Sequence, residues 1–187
     1  MNLLGIDDCP FPRDVAGARF RGDVRFVGTV FAGTRLDGVL VGKVRRDGRN
    51  STARIAQLLN DSHYRGHVGG ILLQGIALAG FNVVDVHGLH QLTGLPVMVV
   101  ARRQPRMAQI RAALRKLPGG ERKWELIDAA GPMEPLRGVF VQRVGLGRSL
   151  AAQWLQRSTL HGSLPEPLRV AHLIAGALET GESRGRA

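Results

Sequence analysis

Residues 3–8 read Leu3-Leu4-Gly5-Ile6-Asp7-Asp8, an apolar run that stops on two aspartates. Such a run fits a buried strand with its carboxylates at the carboxyl end. Cys9-Pro10-Phe11-Pro12 follows, and proline ends regular structure because it lacks an amide donor and restricts its predecessor. Two further strands are expected over Asp23 to Ala32 and Leu36 to Val44, with a turn in Thr34-Arg35-Leu36-Asp37-Gly38, as in a meander. Asp47-Gly48-Arg49-Asn50 reads as a turn before a helix that begins near Ser51, with Asn50 or Ser51 as its cap. Val68 to Leu73 and Pro96 to Ala101 are apolar throughout, the pattern of central strands. Between them a helix is expected over Phe81 to Leu92, with Asn82 near its start and Gly94 at its end. Further helices are expected over Pro105 to Leu117, Ser149 to Gln156 and Pro167 to Glu179, and a strand over Arg137 to Val144. Residues 121–134 support neither pattern, and the tail from Gly181 to Arg186 is polar. Three strands followed by alternating helices and strands define an α/β fold with a mixed sheet.

With 187 residues the chain is expected to form one domain, residues 1–187. Hydrophobic residues make up 44% and charged residues 22%, a globular composition that excludes a disordered chain or a fibre. The lone Cys9 excludes an intrachain disulfide and any cysteine-based zinc cluster. No apolar run reaches the ~18 residues that span a bilayer, and the opening Met-Asn-Leu-Leu-Gly-Ile-Asp-Asp has no basic leader segment. A soluble, cytoplasmic protein is expected. Lysine and arginine number 26 against 15 aspartates and glutamates, a net +11, and only Lys43, Lys116 and Lys123 are lysines. Arginine suits bidentate phosphate contacts, and a positive field attracts polyanions. A GC-rich genome would produce the same arginine excess without any functional demand. The cations are densest at Arg102, Arg103, Arg106, Arg111, Arg115, Lys116, Arg122 and Lys123, opposed in that stretch by Glu121. Only those sharing one face can grip phosphates together.

Few residues could carry chemistry. Asp7 and Asp8 end a strand, where a carboxylate is a good ligand for a hard divalent cation or, equally, a cap for the next turn. Their side chains point to opposite faces. Gln74 ends the apolar strand Ile71-Leu72-Leu73, a position where α/β sheets bind ligands, but it also suits a buried amide paired to the backbone. His172 sits on the last helix beside Leu168 and Arg169, and the residues alone do not separate a ligand from a satisfied core histidine. His63, His67, His87 and His90 read as structural or exposed. Gly145-Leu146-Gly147-Arg148-Ser149 has neither the spacing nor the lysine of a phosphate loop, and no serine-hydrolase elbow or zinc-protease motif is present.

Four segments, Gly5-Ile6-Asp7-Asp8, Gly80-Phe81-Asn82-Val83-Val84-Asp85, Thr93-Gly94-Leu95-Pro96-Val97 and Pro165-Glu166-Pro167-Leu168-Arg169-Val170-Ala171-His172, resemble an uncharacterised family related to endonuclease V. The ending from Gly181 to Ala187 is similar to the same family. The resemblance implies a ribonuclease H-like three-layer fold, a mixed central sheet flanked by helices, and a nuclease using Mg²⁺ or Mn²⁺ on DNA or RNA. It implies that Asp7 is the metal carboxylate of the first strand, that Arg102 stands where that family has a lysine, and that His172 is the terminal ligand. Gln74 departs from the pattern, replacing an aspartate. No glutamate matches the family's helix-start ligand; Asp47 is nearest, and Asp8 is a further carboxylate. Arg102, Arg103 and Arg106 would contact nucleic acid. The expected function is therefore an endonuclease-V-like hydrolase with a depleted metal site. A non-catalytic nucleic-acid-binding protein on the same scaffold and an interaction protein with compositional charge are the alternatives.

Overall fold

The computed structural model describes residues 2–12 and 21–183. The strands are β1 (Asn2–Asp8), β2 (Asp23–Ala32), β3 (Arg35–Arg45), β4 (Gly70–Gln74), β5 (Ala77–Leu78), β6 (Asn82–Val83), β7 (Val97–Ala101), β8 (Glu134–Leu136) and β9 (Val139–Val144). The helices are α1 (Ser51–Asn60), α2 (Val86–Thr93), α3 (Met107–Leu114), α4 (Gly120–Ala129), α5 (Arg148–Ser158) and α6 (Glu166–Thr180). Seven strands form one mixed sheet in the order β3-β2-β1-β4-β7-β9-β8, and β5 and β6 pair as a separate small hairpin. β1, β4 and β7 are parallel to one another, while β2, β3, β8 and β9 join in antiparallel pairs.

The apolar runs land where their composition places them. β1, β4 and β7 occupy the middle of the sheet and alternate between two cores. Leu4, Ile6, Ile71 and Leu73 pack toward Ile55 and Leu59 of α1 and Leu89 of α2. Leu3, Leu72 and Met98 pack toward Trp154 of α5 and Leu168 of α6. The third layer is thus explained, since each face of a fully buried strand needs a helical cover. No helix among the described residues is long and apolar enough to cross a membrane, and Cys9 is buried as a free thiol.

Three local expectations are corrected. The helix expected from Phe81 begins at Val86, with the Asp85 carboxylate accepting from Gly88 N at 2.8 Å. Asn82 lies instead in β6, fully buried, where its side chain accepts from Ser51 N and donates to Arg45 O. Its amide satisfies an orphan N–H at the start of α1, work that Asn50 does not do. The turn expected over Thr34 to Gly38 is tighter. β3 begins at Arg35, and the register jumps between Val30 and Phe31, so the irregularity is a bulge inside the ladder. Residues 120–129 are helical, with Ile127 packed beside Leu114 of α3 and Val83 of β6. Of the polar tail, residues 184–187 lie outside the described residues.

Candidate active site

The site is assembled by how the last helix sits on the first strand. A Cβ on Gly5 would lie 2.5–2.6 Å from the main-chain carbon, carbonyl oxygen and Cβ of Pro167. Only glycine allows α6 that close to β1. The Thr29 hydroxyl of β2 donates to the Pro167 carbonyl at 2.6 Å in a buried contact. Glu166, 3% exposed, grips Arg169 with bonds of 2.7–3.0 Å, and the Pro165 carbonyl accepts from Leu168 N and Arg169 N. The Pro-Glu-Pro-Leu-Arg stretch is therefore a clamp that fixes where α6 begins.

From that clamp the two elements advance in step. Five residues of helix from Pro167 to His172 rise about 7.5 Å. Two residues of strand from Gly5 to Asp7 rise about 6.6 Å. His172 arrives over Asp7, and its Nδ1 lies 2.8 Å from Asp7 Oδ2. Ile6 opposes Leu73 in the parallel β1–β4 ladder, so Gln74 stands beside Asp7 on the same face. Asp7, Asp8, Gln74 and His172 line one cavity of about 360 Å³, together with Cys9, Phe11 and the α6 residues Gly176 and Thr180.

The electrostatics follow from burial. Asp7 is 5% exposed, and burial pushes its carboxyl above the ordinary value against the opposing pull of His172. Asp8 turns to the other face, where its Oδ2 accepts from Ala79 N at 2.7 Å. Burial first and the Asp7 charge second push its carboxyl up to about 6. The hydrogen bond to Asp7 raises the His172 imidazole above its usual value, and the Arg102 charge opposes that rise. The Gln74 carbonyl oxygen is buried and has no hydrogen-bond partner among the described residues. A buried acceptor left unpaired costs about 1–3 kcal/mol.

The signs give a pH dependence for the metal-free protein. The folded-state values of Asp8 and His172 both lie above their unfolded values, so both groups favour folding when protonated. The Asp8 contribution is present below pH 3.8 and is lost as pH rises toward about 6. Its size is about 3 kcal/mol at ~1.4 kcal/mol per unit. The His172 contribution is lost above its ordinary value of 6.5. Urea unfolding in EDTA should therefore show greater stability at pH 5 than at pH 8, and Asp8→Asn should flatten the acid part of that curve. An unchanged curve would mean that Asp8 is not strained in the folded state.

The other expected site residues separate into two groups. Arg102 directly follows β7 and is close enough for its charge to act on His172. Arg102, Arg103 and Arg106 are all exposed, and none of the three lines the cavity. Asp47 lies at the same end of the sheet but outside the cavity. Its Oδ1 accepts from Phe81 N at 2.9 Å, and its Oδ2 lies 3.4 Å from Arg46. Asp8 and Asp47 both hold the β5–β6 connection, which Asp47 also grips through its own N–H to Ala79 O. His87 and His90 bond the carbonyls of Ala129 and Leu95. Phe11 is a cavity residue that the sequence marks only faintly, as an aromatic held between two prolines.

This sheet order and helix placement define a class. Endonuclease V of Bacillus subtilis matches with a TM-score of 0.61 at 12% identity, covering 96% of this chain and 81% of that one. Ciona intestinalis endonuclease V, solved with a 24mer DNA containing an inosine followed by a ribo-adenosine, matches with a TM-score of 0.51 at 14% identity, covering 91% and 82%. The fold is that of the endonuclease V, ribonuclease H-like class. A protein of unknown function from Archaeoglobus fulgidus is nearer, with a TM-score of 0.86 and 32% identity over 95% of this chain and 97% of that one. The Endonuclease dU family profile matches residues 1–179, and the chain belongs to that family. A UPF0215 protein of Deinococcus radiodurans is 52% identical over 186 residues, 99% of this chain and 92% of the relative.

Proposed function

We propose that this protein is a divalent-metal-dependent endonuclease that hydrolyses a phosphodiester bond in DNA bearing a deaminated base, deoxyuridine first. The observation that carries the reading is the buried Asp7–His172 pair beside the orphaned Gln74 carbonyl oxygen, in one cavity at the carboxyl ends of the parallel strands. The substrate class rests on the family description and on the inosine-containing DNA bound by the Ciona enzyme.

The donors present fit one hard cation. The Asp7 carboxylate and the Gln74 amide oxygen would be its oxygen ligands, and a bound cation would relieve the unpaired state of the latter. Asp8 supplies a second carboxylate on the rim, already tied to Ala79 N. A bound Mg²⁺ or Mn²⁺ supplies Lewis acidity toward a phosphate oxygen. The protein's own groups do the rest. Asp7 orients the His172 ring through Nδ1, which leaves Nε2 to exchange a proton with water or the leaving oxygen. Arg102 balances the phosphate charge. Phe11 and Gly176 form part of the cavity wall beside the cluster.

A second reading, a nucleic-acid-binding protein without catalysis, is favoured by one observation. Gln74, a neutral amide, stands beside Asp7 in the parallel ladder and adds no charge for a cation. Cleavage of labelled DNA carrying deoxyuridine, inosine or neither, in Mg²⁺, Mn²⁺ or EDTA, separates the two. We expect metal-dependent cutting of the deoxyuridine strand; salt-sensitive retention without cutting would establish the second reading. Gln74→Asp adds a charge beside Asp7 and should lower the Mn²⁺ midpoint for activity by about tenfold, since affinity follows ligand charge. An unmoved midpoint would take Gln74 out of the metal site.

A further inference from the structure

The carboxyl end of the sheet carries cations on both sides of the Asp7 cluster. Across the strand order, Arg45 and Arg46 end and follow β3, Arg21 precedes β2, Asp7 and Asp8 close β1, Gln74 closes β4, and Arg102 and Arg103 follow β7. β3 runs in the same sense as β1 because each pairs antiparallel with β2. All of these residues therefore emerge at one end. The β7 flank belongs to the proposed active site. The β3 flank has no part in it.

On the β3 flank a separate cavity of about 300 Å³ is lined by Arg21, Arg45, Arg46 and Lys123 against one acid, Asp47. That acid is already occupied, with Phe81 N on one oxygen and Arg46 near the other. Arg45 reaches Asp23 only at 3.5 Å, and both side chains are more than half exposed, so the pair is weak and open to exchange. Arg21 is exposed. The wall of the cavity is positive, and its natural occupant is an anion with several acceptor oxygens.

We propose that this cleft is a second phosphate-binding surface, which holds the backbone of a bound nucleic acid on the side of the Asp7 cluster opposite Arg102. The inference rests on the reading that nucleic acid is the ligand. The distance supports it. β3 and β7 stand four strand spacings apart, about 19 Å. At about 3.4 Å of rise per nucleotide, one strand of a duplex places five or six phosphates across that span. The buried carboxylates at the centre repel a phosphodiester until a cation joins them. Cations on both flanks offset that repulsion and set the strand across the cluster instead of beside it. A single free anion would fill the cleft but would have no use for the alignment with Asp7 and Arg102.

Anisotropy of a labelled DNA duplex, measured in EDTA over a range of salt, tests this without requiring catalysis. Each lost phosphate contact lowers the slope of log affinity against log salt by about one. The Arg21→Ala/Arg45→Ala protein should therefore lose about two from the slope. Arg35→Ala is the control. Arg35 is exposed at the other end of β3, about 33 Å from Arg45 at the strand rise, and its removal should leave the slope as in the wild type. A wild-type slope in the double variant overturns the inference, as does an equal loss in Arg35→Ala, which would reduce the effect to net charge. Cleavage by the wild type with an unaltered slope in the double variant sinks this inference alone. A lost slope in a protein that never cuts sinks the nuclease reading alone. Absence of duplex binding at every salt concentration overturns the second surface outright.

Discussion

Asp7→Asn is expected to abolish metal-dependent cutting while leaving the protein folded, and in EDTA as stable as the wild type or more so. Asparagine keeps the shape and an acceptor for His172 Nδ1 but carries no charge. The loss of cleavage should exceed about 100-fold, because even groups that only support metal ligands cost 10–100-fold when removed. Stability moves the other way for a plain reason. Asp7 is 5% exposed and burial penalises its charged form, so the wild-type carboxylate is a strained group until a cation offsets it. A neutral amide removes that strain. Thermal melts with and without Mn²⁺ read both halves of the argument. Mn²⁺ should raise the melting temperature of the wild type and leave that of Asp7→Asn unmoved. Turnover retained by the variant would remove Asp7 from the mechanism. A lower melting temperature in EDTA would mean that the carboxylate stabilises the fold and that its burial is satisfied by His172 alone.

The second large effect is at Gly5, which touches neither substrate nor metal. The added methyl of Gly5→Ala meets main-chain atoms of Pro167 at 2.5–2.6 Å, and main chain cannot step aside as the end of a flexible side chain can. α6 must lift from β1. Overpacking of this kind costs about 1–3 kcal/mol, and the buried Thr29–Pro167 hydrogen bond adds about 1 kcal/mol when it breaks. A total of about 2–4 kcal/mol should appear in urea unfolding. The functional loss should be out of proportion, because the same movement carries His172 away from Asp7. Metal affinity and cleavage should fall in samples that circular dichroism shows to be folded. A Gly5→Ala protein with wild-type stability would show that the helix is not seated as tightly as the 2.6 Å contact requires.

Much of the scaffold is legible in the chain alone. β1, β4 and β7 are buried on both faces, and that burial writes itself into the sequence as runs without polar interruption. Asp7 is legible too, since a carboxylate at the end of such a run stands at the carboxyl edge of the sheet. The Pro-Glu-Pro-Leu-Arg stretch announces a helix start, and the family resemblance singles out His172 beyond it, which the fold brings to 2.8 Å from Asp7. The misplaced start of α2 has a local cause. Asn82 looks like a helix cap in the chain, and it does satisfy a helix N–H, but the helix is α1, about thirty residues upstream. Asp47 misleads for the same kind of reason, because proximity in the chain says nothing of the Phe81 amide that claims its carboxylate.

By itself the sequence determined the central strands and most of the helices, though not α4 or the short strands β5, β6 and β8, because periodicity and capping are local properties of the chain. Only the tertiary structure decided that Gln74 has an unpaired oxygen beside Asp7, that His172 lies 2.8 Å away across 165 residues, and that the arginines of β3 and β7 face one edge from either side of the carboxylates. Those relations depend on strand order, on parallel register and on the close seat of α6 over Gly5. No single segment encodes them, because each is settled by packing between segments distant in the chain.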